Sequence, residues 1–160
     1  MGEIFYQYRI EIIFIHIVSA VVWVGGMIST KFAAHPSIMQ ITSPQERMER
    51  LSLLLKRLFL LVIVFVLLLA MTGAFLTVAY DIKHTEYHYI SLSKDAIWAV
   101  MFFNLLFMMR KRKMVDEAMQ KGDFNTARAT LELIGRFLVP INITLGLVEI
   151  GLGVFLRVSL

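Results

Sequence analysis

Three ionisable side chains stand in strongly apolar surroundings: His16 in "IEIIFIHIVSAVVWVGGMIST", Lys94 in "LSKDAIW" and Glu149 in "LVEIGLG". Each residue type brings its own chemistry. A neutral imidazole offers a ring-nitrogen lone pair to a metal ion or a proton. An ammonium pairs with an anion or, once deprotonated, ligates. A carboxylate can hold the second N–H of a ligating histidine and fix its tautomer. Inside a bilayer each such group costs at least ~2.5–3.5 kcal/mol on insertion scales, so each calls for a compensating partner or a function.

The spacing of their neighbours adds to this. His16 and Trp23 are seven apart and share a helical face, and Gly25 and Gly26 follow, small enough for close approach of a helix or a flat ligand. Lys94, Trp98 and Met101 fall at i, i+4 and i+7. Asn142, Gly146, Glu149 and Gly153 form one stripe of small and polar residues, and Thr72 and Gly73 lie together in a further apolar run. Each feature also has a plainer explanation. His16 can bond a carbonyl or Glu149, Lys94 can snorkel to headgroups, Asp95 suits a first helical turn, and the tryptophans can be packing or interface residues.

The elements that must carry these groups are membrane helices. The chain has 160 residues, suggesting one domain; 58% are hydrophobic and 18% charged, and the mean hydropathy is +0.72. A bilayer-crossing helix needs about 20 largely apolar residues, and four stretches qualify: about 10–30, 58–80, 90–109 and 137–157. The expected fold class is all-α, an integral membrane four-helix bundle. The third span begins near Ile90, which places Lys94 and Asp95 in its first turns. His16 then lies about 6 Å along the axis from Ile12, and Glu149 roughly 10 Å from Leu156, so three helices bring ionisable groups to one half of the bilayer.

The two loops rich in Lys and Arg, 31–57 and 110–136, set the orientation. Positive-inside bias puts both in the cytoplasm and both termini outside, as in a multi-pass protein of a bacterial inner membrane. The net charge of +4 reads as this topology signal, with no nucleic-acid partner. The first span lacks a basic n-region and a small-residue cleavage site, so it is expected to be retained. With no cysteine, disulfides, thiolate metal sites and iron–sulfur clusters are excluded. "SPQE" at 43–46 predicts a capping box opening a helix that runs into the second span. "KGDFNTA" predicts a turn with Gly122 ending one helix and Asp123 or Asn125 capping the next. His84 and His88 are expected to be solvated, and His35 lies on the opposite membrane face from His16.

The segments "HIVSAVVWVGG", "RMERL", "MTGAF", "LSKDAIW" and "RFLVPIN" occur in an order that resembles small four-helix membrane proteins related to CopD, a copper-resistance protein, and to HemJ, a haem-linked protoporphyrinogen oxidase. The chain departs from the HemJ pattern in having no histidine in its third span and "STKFAAHPS" after the first. The HemJ resemblance implies haem b, with His16 and Lys94 as the catalytic pair and His16 the metal ligand. Lys94 would be the opposite ligand or a propionate partner. Trp23, Gly25, Gly26, Trp98 and Glu149 would line the cofactor site, Glu149 holding the second N–H of His16. A porphyrinogen or quinone would be the electron partner. With one histidine inside a span, a homodimer or His/Lys ligation would complete the iron. The CopD resemblance implies instead copper handling, with His16, Glu149 and methionines as ligands. A structural subunit of a larger membrane complex is the third expectation.

Overall fold

The computed structural model describes residues 2–159, with side chains from residue 7 onward. Among these the chain forms four long helices: α1 over residues 2–39, α2 over Pro44–Ala79, α3 over His88–Gln120 and α4 over Phe124–Ser159. All four are long and apolar enough to cross a bilayer. They extend beyond the expected spans chiefly at the basic end, where α2 starts 14 residues before Leu58 and α3 continues past Met109.

The helix ends follow from local chemistry. Ser43 caps α2 by accepting from the Glu46 backbone N–H at 3.3 Å, and Pro44 occupies the first helical position, where its missing N–H costs nothing. The Glu46 carboxylate reaches Arg50 instead, at 3.5 Å. Helix α3 ends at Gly122, the residue with φ +75°; the Asp123 N–H reaches Ala118 O at 2.9 Å and the Gly122 N–H reaches Met119 O at 3.1 Å, a Schellman closure. Asp123, not Asn125, caps α4 by accepting from the Thr126 N–H at 3.1 Å. The His84 ring meets Asp81 at 2.6 Å on an exposed turn, away from His88.

Helices α1 and α4 are not uniformly α-helical. Wider π-helical turns occupy Val21–Gly25 and Thr30–Ala34 in α1 and Ile134–Leu138 in α4. Two of them come just before prolines, Pro36 and Pro140. A proline ring clashes with the carbonyl four residues back and lacks an N–H to satisfy it, and a widened turn relieves both faults. The carbonyl freed by Pro140 is put to use: Lys31 Nζ donates to Gly135 O at 2.7 Å, joining the two proline-widened turns. Asn104 Nδ2 donates to Leu138 O at 2.9 Å, at the end of the widened turn in α4.

The core is concentrated in the half of the bundle nearer the basic loops. Trp23, Met27, Phe59, Val62, Val66, Leu105, Met108, Val115 and Ile134 are nearly or wholly inaccessible. Polar contacts stitch the same half together. Asn104 bonds Asn142 at 2.7 Å, Asn142 bonds Met101 O at 3.2 Å, and Arg112, Asp116 and Ser52 join α3 to α2. At the opposite end two pairings dominate. The Gly2–Ala20 stretch of α1 makes its extensive contacts with α2 alone, while α3 packs on α4. Helices α1 and α4 meet lower down, where a Cβ on Gly146 would come within 2.5 Å of Val24 Cγ2. That contact is possible only for glycine and fixes the crossing point.

Candidate functional site

Above this crossing the two helix pairs carry the ionisable groups. His16, on α1, is half-buried. Its Nδ1 lies 2.8 Å from Thr72 Oγ1 on α2. The Thr72 hydroxyl has one hydrogen, and Oγ1 sits 2.7 Å from Leu68 O, the back-bond common for threonine in helices. With the hydrogen committed there, Oγ1 accepts from Nδ1–H. Hydrogen-bond logic therefore assigns the Nδ1–H tautomer, which leaves the lone pair on Nε2. Gly73 packs beside the ring: a Cβ there would stand 3.4 Å from His16 Cε1.

Lys94, on the first turns of α3, donates to Glu149 Oε2 at 2.6 Å and to Glu149 O at 3.0 Å. Both side chains are largely buried, at 21% and 18% exposure. Gly153 lies one turn beyond Glu149, beside the ammonium; a Cβ there would stand in ordinary contact, 3.6 Å from Lys94 Nζ. Asp95 is exposed and stands outside this pair. His16 is held by Thr72 and Lys94 by Glu149, so the two polar groups belong to different helix pairs.

One expected role is corrected by this geometry. Glu149 does not hold the second N–H of His16; Thr72 does. Glu149 sits on α4, the partner of α3, and is neutralised by Lys94, while His16 faces α2. Glu149 does keep one unused function, because its Oε1 is buried and has no hydrogen-bond partner.

The aromatic and glycine positions divide. Trp23 is 1% exposed and packs in the core, and Trp98 stacks on Phe102 with ring centroids 5.2 Å apart. Both indole Nε1 atoms are buried without an acceptor, although a buried indole N–H usually finds one. Gly26 faces α2 closely, where a Cβ would meet Leu58 Cδ1 at 3.1 Å, whereas nothing lies within 4 Å of a Cβ on Gly25. The close approach expected of the paired glycines is thus made by Gly26, and more tightly by Gly146.

Asn104 and Arg112 were not expected as interior polar groups. The signal for Asn104 is its place on the buried Met101, Leu105, Met108 face of α3, and for Arg112 the i, i+4 carboxylate Asp116. No three His, Cys, Asp or Glu side chains gather to hold a metal among the described residues. No family model, curated protein or solved structure matches the chain.

Proposed function

We propose that the chain is a haem-b-binding redox protein of a bacterial inner membrane, with both termini outside and His16 as the residue that would hold the iron. The observation that carries this is the His16–Thr72 contact, which fixes Nδ1 as donor and leaves Nε2 as a base inside an apolar bundle. That is the posture of a metal-ligating histidine whose outer nitrogen is tied down. A porphyrin brings four nitrogen ligands of its own, so one imidazole is enough to begin a site. A bare metal ion held by imidazoles and carboxylates alone would ask for three or four of them, and no three gather among the described residues, so a copper site would have to draw on methionine thioethers.

Support comes also from two polar atoms on the other helix pair that are buried without a partner, the donor Trp98 Nε1 and the acceptor Glu149 Oε1. Lys94 is engaged by Glu149 and would have to lose both that contact and a proton to ligate iron. Its role as the charge partner of an acidic substituent, such as a propionate, is therefore the better supported of its two expected roles. Bound haem would supply one-electron transfer between its ferric and ferrous states. Thr72 orients the imidazole, and a porphyrinogen or quinone is the electron partner. A homodimer would provide a second histidine for the iron.

The test is the haem-to-protein ratio and the reduced-minus-oxidised spectrum of protein purified after expression with ample haem. The parent is expected to show a Soret band and His16→Ala to lose it. A parent without Soret absorbance overturns the haem assignment.

A further inference from the structure

At the basic end an apolar groove runs between the end of α1 and the start of α2, lined by Ile38, Ile41, Leu53 and Leu54 and bracketed by Arg50 and Arg57. The α2 residues of this set fall at i, i+3, i+4 and i+7, one continuous stripe of that helix. We infer that this groove is a binding site for an anionic glycerophospholipid, with its phosphate on Arg57 and the upper part of an acyl chain against the isoleucines and leucines.

Depth is the first argument. Arg57 directly precedes the uncharged run that begins at Leu58, so in the membrane it sits at the border of the hydrocarbon. Arg50 lies about 10 Å farther out along the helix, and the headgroup layer on each side of a bilayer is roughly 5–8 Å thick. The stripe therefore spans the layer where lipid phosphates reside.

Charge is the second. Arg57 is exposed and makes no ion pair or hydrogen bond within the described residues, and Arg50 makes only an exposed contact with Glu46 at 3.5 Å. A guanidinium is suited to bidentate phosphate recognition. Two arginines facing one groove attract an anionic headgroup and disfavour the cationic end of a zwitterionic choline lipid. Basic pockets beside membrane helices on the cytoplasmic side are suited to anionic lipids for this reason. The apolar floor is the third argument, because a free phosphate has no use for Leu53, Leu54, Ile38 and Ile41. This inference rests on the membrane placement and is independent of any haem.

The experiment is native mass spectrometry of the full chain in detergent, titrated with phosphatidylglycerol or phosphatidylcholine, beside thermal unfolding to confirm that each variant is folded. The parent is expected to retain phosphatidylglycerol in preference to phosphatidylcholine. Arg57→Gln is expected to weaken phosphatidylglycerol retention about fivefold, and Leu53→Gln to weaken it as well. Lys121→Gln, an exposed cation outside the groove, is expected to leave it unchanged. Equal retention of the two lipids by the parent overturns the site. So does an Arg57→Gln protein that binds like the parent, a loss in Lys121→Gln as large as in Arg57→Gln, or full displacement by inorganic phosphate at matched ionic strength.

Discussion

Replacing Thr72 by valine removes one hydroxyl and little else, since both side chains are β-branched and of similar shape. In the parent, Thr72 Oγ1 accepts from His16 Nδ1–H at 2.8 Å and donates to Leu68 O at 2.7 Å. Leu68 O keeps its place in the helix, so the loss falls on the imidazole. A partly buried donor left without an acceptor costs ~1–3 kcal/mol, which corresponds to about 5- to 150-fold in an equilibrium constant. Loss of a partner that orients a ligating histidine lowers metal affinity by about 10- to 100-fold, and the two ranges overlap. Haem affinity of Thr72→Val should therefore fall by about one to two orders of magnitude, measured by haem titration of apoprotein, with Thr72→Ser restoring most of it. The tautomer gives an independent readout. Nitrogen NMR of labelled histidine should show His16 as Nδ1–H in the parent and lose that preference in Thr72→Val. An Nε2–H imidazole in the parent, or parent-like haem affinity in Thr72→Val, would refute the reasoning.

The helix crossing, the buried pair, the α4 cap and the orientation each have a test. Gly146→Ala places a Cβ 2.5 Å from the stiff side chain of Val24 and should lower the thermal unfolding midpoint in detergent by an amount equivalent to ~1–3 kcal/mol, whereas Gly25→Ala, with open space beside it, should not. Glu149→Leu strands the Lys94 ammonium and should destabilise the bundle by up to ~3–5 kcal/mol, with Lys94→Met/Glu149→Leu recovering a large part in the same assay. The Asp123 carboxyl is held below its usual range by hydrogen bonds from the Thr126 hydroxyl and then from the Thr126 backbone N–H. Its contribution is thus present above the ordinary carboxylate range and lost as pH falls through the depressed value. The protection of the Thr126 amide against exchange, taken relative to the intrinsic rate at the same pH, should fall in acid in the parent and vary less with pH in Asp123→Ala. Single cysteines at Ser37 and Thr85 should label from opposite sides of the membrane, Thr85 from outside; outside labelling at position 37 would reverse the orientation.

The sequence alone determined the four apolar helices and the ends marked by caps, because those depend on neighbours a few residues apart. Ser43, Pro44, Gly122 and Asp123 act within one turn, and uncharged runs such as Leu58–Tyr80 are visible without any fold. It also led to the expectation that His16, Lys94 and Glu149 share one half of the bilayer, since depth is residue count times helical rise. What it left open is rotation. Which side chain meets His16 depends on how α1 turns against α2, and the π-helical turns in α1 and α4 shift the faces beyond them relative to a regular helix. The sequence suggested Glu149 for His16 because both are polar and at similar depth. The tertiary structure gave the imidazole to Thr72 and the carboxylate to Lys94, because at this end α1 packs on α2 and α4 packs on α3. The tightest crossing point was likewise settled only by packing. Glycines 25, 26 and 146 look equally permissive along the chain, but Gly146 alone faces Val24 at a distance no other residue type allows.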